Sequence, residues 1–357
     1  MNGKMKKLFI ASSVYQLFNA INITNQYNDF NNTSILLLET TDDGRFSSCF
    51  DTNILKNLFE NIFLIKYKIK RNKCNKLLYV LQMIFDKSIC GNYINQKYDE
   101  VYIPGTEIIS KVLAYKLLKK DSKLYYYEDG FGSYNSVLNP NTKKRNDAIF
   151  KLLYGYTPLE KCEGLYVYEP NIVNNEAGVF LNKINKIIRN KEYIFNYKDL
   201  CQGEVIDFKK KFIFLSSWFE NEDYYEFQNK MITQLASTVG QSNCCVKPHP
   251  NEWKTISHLK DVDYIKSTAS FEISNYYYDY SDNIFVSLYS TASLTPRLVY
   301  NDNPTIIFLY KILEKEFGVD LGINKSMKRL ASIYQDETKV FFPSTVEQFV
   351  DILKKLI

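Results

Sequence analysis

Short apolar runs of β-type residues alternate with helical patterns along most of this chain, and that alternation leaves few architectures open. Lys7–Ala11 reads as a strand and Tyr15–Asn25 as the helix after it. Ser34–Glu39, Asn61–Ile65, Glu100–Ile103 and Leu124–Tyr127 read as further strands, with helical patterns over Leu77–Phe85 and Ile108–Leu118. Leu165–Tyr168 and a helical Ala177–Arg189 close the first half. After a mixed, polar stretch the alternation restarts. Strands are expected over Phe212–Leu215, Asn243–Lys247, Asn283–Leu288 and Thr305–Leu309. Helices are expected over Asp223–Val239, Phe271–Tyr277, Ala292–Tyr300 (interrupted at Pro296) and Val346–Leu356. Strands joined through helices point to α/β architecture with mostly parallel sheets covered on both faces. The chain has 357 residues, enough for roughly two domains of about 150 each. Two Rossmann-like domains are therefore expected, over 1–190 and 211–357, with 191–210 as the linker.

Net charge narrows the class of partner. The +5 total divides unevenly: 1–190 carries 26 basic and 18 acidic residues, a surplus of 8, while 191–357 is at −3. Only six of the 45 basic residues are Arg, the side chain best suited to bidentate phosphate and base-edge recognition. A Lys-heavy, Asn- and Tyr-rich chain fits an AT-rich coding sequence more simply, and nucleic acid is not expected as a partner. Lys66, Lys68, Lys70, Arg71, Lys73 and Lys76 put six cations in eleven positions without an acid. That cluster is either a solvated loop or a surface for anionic head groups or a phosphorylated acceptor. The seven cysteines form no CxxC pair, and with only His249 and His258 available no Cys/His metal site is expected. No apolar stretch approaches the ~18 residues that span a bilayer, so the expectation is a cytoplasmic protein.

In parallel α/β sheets ligands bind outside the carboxyl ends of the strands. That rule selects Ser12-Ser13, Glu128–Gly132, Ser216–Asn221, Pro248–Glu252 and Ser290–Ser293. Glu128 and Asp129 are adjacent carboxylates followed by Gly130. Mutual repulsion and burial raise a carboxyl pKa, so one of the pair suits a general base, although an Asp-Gly turn needs the same residues. His249 stands between Pro248 and Pro250, with Lys247 just before it. A His so restrained fits phosphate binding or leaving-group protonation, and fits equally a structural proline turn. Ser290 and Thr291 precede a helix and serve either as phosphate ligands or as plain N-caps; Ser216 and Ser217 have the same ambiguity. His258 has no comparable setting. The NTPase phosphate loop, the dinucleotide fingerprint and the G-x-S-x-G elbow are absent.

Taken in order, the strand end Glu128-Asp129-Gly130, the turn His249-Pro250 and the pair Ser290-Thr291 about forty residues later resemble the motifs of bacterial sialyltransferases. The opening Phe9-Ile10-Ala11-Ser12-Ser13-Val14-Tyr15-Gln16-Leu17 is similar to the first strand and loop of glycosyltransferase family 52. The resemblance implies a GT-B fold, with two Rossmann-like domains facing across a cleft. It implies inverting transfer from CMP-sialic acid to a galactose-terminated glycan within a surface lipooligosaccharide or capsule built at the inner membrane face, with α-2,3 the expected linkage and α-2,6 and α-2,8 left open. By the same resemblance Asp129 is the base, in a loop shaped by Glu128 and Gly130. His249, the second catalytic residue, binds or protonates the departing CMP phosphate, which Lys247, Pro250, Ser290 and Thr291 help to hold, and Glu272, in the pair Phe271-Glu272, contacts the ribose. The paired motif departs from the family in reading Ser-Thr rather than Ser-Ser, and Glu220 or Asp223 stays open as the base. No cofactor and no metal are expected, peripheral contact with anionic membrane is allowed for, and a homodimer is left open. The alternatives are a GT-B transferase using a UDP-hexose, or a non-catalytic glycan- or nucleotide-binding protein.

Overall fold

The computed structural model describes all residues except 1–3, 41–45, 68–75, 87–95, 106, 141–146, 190–192, 194–196, 201–204, 206, 220, 250–258, 260–261, 266–269 and 335. Pro250, Glu220, His258 and most of the basic cluster lie outside the described residues. The chain forms two compact units, Met1–Gln202 and Gly203–Ile357.

The first unit runs β1 (Lys7–Ala11), α1 (Val14–Tyr27), β2 (Thr33–Glu39), α2 (Thr52–Leu58), β3 (Asn61–Lys66), α3 (Lys76–Phe85) and β4 (Tyr98–Pro104). It continues through α4 (Ile108–Leu117), β5 (Leu118–Tyr127), α5 (Phe131–Asn135), α6 (Asp147–Tyr154), β6 (Cys162–Val167), β7 (Phe180–Lys183) and α7 (Tyr197–Leu200). Its seven strands lie in the order β3-β2-β1-β4-β5-β6-β7, all parallel. Every residue of β2 is buried, as a strand covered on both faces requires. On one face the rings form a ladder across strands: Phe9 stacks on Tyr102 at 4.3 Å between centroids, and Tyr102 on Tyr125 at 4.9 Å. Within the stretch read as linker, the helical turn α7 packs on α2, and Leu200 accepts from the Asp51 N–H at 2.9 Å.

The second unit runs β8 (Phe212–Leu215), α8 (Glu222–Val239), β9 (Cys244–Lys247), α9 (Phe271–Tyr277), β10 (Ile284–Ser287), β11 (Thr305–Phe308), α10 (Tyr310–Phe317), α11 (Asn324–Ala331), β12 (Val340–Phe341) and α12 (Val346–Leu356). Its order is β12-β11-β10-β8-β9, again parallel. The strand period of two divides the core. Phe212 and Phe214 face Phe227, Met231 and Leu235 of α8 with Phe349 and Leu353 of α12, while Ile213 and Leu215 face Phe271 and Tyr280. Asn221 caps α8 by accepting from the Asp223 N–H at 2.9 Å. Among the described residues no helix is long and apolar enough to cross a membrane.

Two expectations fail. Ala177–Arg189 is not a helix: Phe180–Lys183 extends as the edge strand β7, pairing with Gly164–Val167. The spacing that mimics a helix comes from Ile184 and Ile187, each buried from non-helical chain, and the Ile184 N–H donates to Val167 O at 2.8 Å. Open backbone groups on β6 outweigh the local helical pattern. Ala292–Tyr300 is likewise not an α-helix but a 3₁₀ turn, Thr291–Leu294, followed by a π-helical turn, Pro296–Tyr300. Pro296 has no N–H to donate into an α-helical ladder.

Close packing reaches the segment that carries the β4 end. A Cβ at Gly105 would lie 2.0 Å from Val137 Cγ2 and 3.0 Å from Tyr126 Cδ2. Gly105→Ala is expected to destabilise the protein by about 1–3 kcal/mol through overpacking, read as a lower urea midpoint at constant m. An unchanged midpoint would show that this contact gives way freely.

Candidate functional site

In each sheet the chain leaves the first strand toward opposite edges, which makes a switch point where the carboxyl ends of two strands splay apart. In the first unit it lies between β1 and β4, and in the second between β8 and β10. The candidate residues stand at these ends.

In the first unit, Ser12 follows β1, Glu107 follows β4, and Glu128-Asp129 follow β5. Ser13 caps α1, its Oγ accepting from the Gln16 N–H at 3.2 Å, so that hydroxyl serves the helix. The two adjacent carboxylates have opposite settings. Glu128 is wholly buried and accepts from the Tyr134 hydroxyl at 2.6 Å, the Tyr15 hydroxyl at 3.3 Å and the Tyr168 N–H at 3.4 Å. Its backbone carbonyl accepts from Asn19 Nδ2 at 3.1 Å, and Asn19 Oδ1 accepts from the Tyr168 hydroxyl at 2.8 Å. Burial pushes the Glu128 carboxyl up to about 8, with the neighbouring Asp129 charge adding to the rise against the hydrogen bonds that oppose it. The carboxyl raised by burial is thus Glu128, which holds its proton at neutral pH inside the fold. Asp129 is half-buried; its Oδ1 accepts from Gln16 Nε2 at 2.8 Å, and its N–H donates to Ser133 Oγ at 2.8 Å. Gly130 has φ 82° and ψ −146°, a conformation closed to other residues at low cost, and it turns the chain into α5.

Gln16 and Glu107 complete this end of the sheet, and sequence reasoning assigned them no role. Gln16 Oε1 accepts from the Ser12 N–H at 2.7 Å and lies 3.1 Å from Ser12 Oγ, which also donates to Glu107 Oε1. Gln16 Nε2 donates to Glu107 Oε1 at 3.3 Å, and the Ser110 hydroxyl donates to Glu107 Oε2 at 2.9 Å. The one sequence signal was Ser13-x-x-Gln16 after a strand, the pattern of a capping box.

In the second unit β8 stands between β9, which ends at Lys247 and His249, and β10, which leads to Ser290 and Thr291. The His249 N–H donates to Ser216 Oγ at 2.8 Å, and the Ser216 N–H donates to Lys247 O at 3.1 Å, lacing the two loops together. Ser217 is engaged through its backbone: buried Gln228 accepts from its N–H at 2.7 Å and donates to its carbonyl at 3.3 Å. The His249 imidazole is held down to about 4, first by burial and then by the charge of Lys247, so it is neutral at neutral pH. Lys247 Nζ lies 5.9 Å from the Phe271 ring centroid. Burial pushes the Glu272 carboxyl up while the charge of Lys247 pulls it down, which brings Lys247, His249 and Glu272 into one electrostatic group. Ser290 makes no side-chain cap, and the turn it opens is a four-residue 3₁₀ segment. Any anion there meets hydroxyls rather than a long helix dipole. Asp223 is exposed in the first turn of α8, a favourable place for a carboxylate on helix-dipole grounds alone.

The chain matches no protein-family model and no curated protein. Among solved structures it is similar to spinosyn forosaminyltransferase, with a TM-score of 0.54 at 10% identity over 99% of this chain and 90% of that one. It is similar to spinosyn rhamnosyltransferase complexed with thymidine diphosphate, at 0.52 and 9% over 99% and 91%. It is also similar to UDP-GlcNAc 2-epimerase from Neisseria meningitidis bound to UDP-GlcNAc, at 0.54 and 12% over 98% and 91%. These likenesses establish a GT-B fold.

The Glu128 environment has a measurable consequence. Its pKa rises from about 4.5 unfolded to about 8 folded. The folded state then binds the extra proton between those values, and that stability is complete below the lower one and lost as pH rises through the upper. Glu128→Gln keeps the acceptor oxygen and removes the titration. Relative to wild type, its melting temperature is expected to rise from pH 5 to about pH 8 and to level off above it. A difference that does not change with pH would contradict a protonated Glu128.

Proposed function

We propose that the protein is a nucleotide-sugar glycosyltransferase, and specifically an inverting sialyltransferase that moves sialic acid from CMP-sialic acid to a terminal galactoside of a bacterial surface glycan. The observation that carries this is positional. Asp129 stands beside the switch point of one sheet, while Ser216, Lys247, His249, Ser290 and Thr291 occupy three adjacent strand ends at the switch point of the other. The first group supplies a half-exposed carboxylate; the second supplies cation, imidazole and hydroxyls.

CMP-sialic acid already carries its leaving group, so the protein must position it and balance phosphate charge. Asp129 accepts the acceptor hydroxyl proton as the oxygen bonds to the anomeric carbon. The bond from that carbon to the phosphate oxygen breaks, and both electrons leave with CMP. Lys247 offsets the phosphate charge, the neutral imidazole of His249 donates its N–H to a phosphate oxygen, and Ser290 and Thr291 donate their hydroxyls. Glu272, half-buried and within the electrostatic reach of Lys247, takes the ribose in this reading. One attack from the acceptor side inverts the anomeric centre. Neither step calls on Glu128, whose proton stays in the core.

A second reading has its own support: one neighbour is bound to UDP-GlcNAc and another is complexed with thymidine diphosphate, which favours a nucleoside diphosphate sugar such as a UDP-hexose as donor. Lys66, exposed at the end of β3, belongs to the cationic run suited to anionic lipid where surface glycans are built.

With CMP-sialic acid and lactose, the purified protein is expected to release CMP and form a sialyl-galactoside. Asp129→Ala is expected to lower transfer by roughly 10²–10⁴-fold with CMP binding retained, and His249→Ala to weaken both. Stabilisation by UDP or thymidine diphosphate but not CMP in a thermal-shift panel moves the assignment to the second reading. Nucleotide binding with no turnover of any donor leaves a binding protein.

A further inference from the structure

Both N–H groups and the oxygen of the Gln16 amide are engaged. A primary amide has two N–H donors and an oxygen with two acceptor positions. Here the donors go to two carboxylates, Asp129 Oδ1 at 2.8 Å and Glu107 Oε1 at 3.3 Å, and the oxygen takes the Ser12 N–H at 2.7 Å; Ser12 Oγ lies 3.1 Å from that oxygen and gives its one proton to Glu107. Flipping the amide would set its oxygen against both carboxylates and its NH₂ against the Ser12 N–H, so only one orientation is compatible with the surroundings. Gln16 is 2% exposed and sits in the first turn of α1, which leaves the side chain no room to turn away. Glu107, the other carboxylate on the amide, is held by the hydroxyls of Ser12 and Ser110. A continuous line of hydrogen bonds therefore runs Ser110–Glu107–Gln16–Asp129–Ser133, across the carboxyl ends of β4, β1 and β5.

We infer that Gln16 is a positioning residue for the Asp129 base: its N–H fixes the carboxylate at one oxygen, and its second N–H, anchored on Glu107, prevents it from following Asp129 if that loop shifts. This rests on Asp129 acting as the base. An N–H donated to a carboxylate favours the charged form, the form that accepts a proton, so the amide sets basicity as well as place. Gln16 also braces the β1 loop through Ser12, and the two roles separate by substitution. Gln16→Glu keeps the length and an oxygen for the Ser12 N–H, but faces Asp129 with an acceptor instead of a donor. Gln16→Met removes both roles.

With CMP-sialic acid and lactose, Gln16→Glu is expected to lower kcat by about 10²-fold, the scale of a misplaced reacting group. The acid limb of its kcat/KM profile should move to higher pH, because two facing carboxylates retain a proton between them. CMP affinity, which belongs to the other unit, should stay at the wild-type value and report that the variant is folded. Gln16→Met should show the same loss. Wild-type kcat and an unmoved pH profile in Gln16→Glu would overturn the inference, leaving Gln16 a brace for the β1 loop. Asp129→Asn in parallel separates the two levels. If Asp129→Asn is inactive and Gln16→Glu is not impaired, the inference alone falls; if Asp129→Asn retains activity, or wild type transfers nothing, the base assignment falls and the inference with it.

Discussion

The carboxyl group of Glu128 lies out of water at the end of β5, and the surrounding loops depend on its being satisfied there. A buried carboxyl is tolerated when it keeps its proton and has hydrogen-bond partners. Tyr15 on α1, Tyr134 on α5 and the backbone of Tyr168 after β6 supply them. The first helix, the short helix after the Asp-Gly turn and the next strand end are thereby tied to one point. With Glu128 held inside, Asp129 is held at the boundary, and Gly130 provides the left-handed turn the chain then needs. The pair divides into an internal acid that fixes geometry and a half-exposed carboxylate at the strand end.

The two units solve the same local problem with the same residue type. In each, the helix that follows the strand at the switch point presents a buried glutamine to the loop before it: Gln16 to Ser12, and Gln228 to Ser217. Strand-end loops at a switch point have backbone groups without ladder partners, and a helix one turn away is well placed to satisfy them. In the first unit the amide has N–H groups to spare and reaches two carboxylates. In the second both ends of the amide are taken by Ser217, and the polar work passes to Ser216, Lys247 and His249. Acid gathers at one switch point, and cation, imidazole and hydroxyls at the other.

Much of the fold was legible because the strands are short apolar runs between breakers. β1, β8, α9 and α12 begin and end where patterning placed them. The reading of Ala177–Arg189 as helix failed because Ile184 and Ile187 have helical spacing, and only the neighbouring edge of β6 shows that the segment must pair. Helix α10 ends on a stop signal present in the sequence: Gly318, in left-handed conformation at φ 62°, closes it. At the site, Asp129 and His249 were visible from their own neighbours in sequence, an Asp-Gly turn and two prolines. Gln16 and Glu107 were not, because each acts through a partner about a hundred residues away: Gln16 meets Glu107 across 91 positions and Asp129 across 113. Nor does the sequence say which of two adjacent carboxylates turns inward; the positions of Tyr15, Tyr134 and Tyr168 decide that.

Under the proposed function, with Asp129 as the base and CMP as the leaving group, one stereochemical course is expected: the acceptor oxygen attacks the anomeric carbon once, opposite the departing phosphate. The most direct measurement is the anomeric configuration of the first-formed product, followed by proton NMR from the moment of mixing protein, CMP-sialic acid and lactose. This account predicts a sialyl-galactoside of inverted configuration, appearing with one CMP released per transfer. A first-formed product that retains the donor configuration would contradict direct displacement, and with it the assignment of Asp129 as the base.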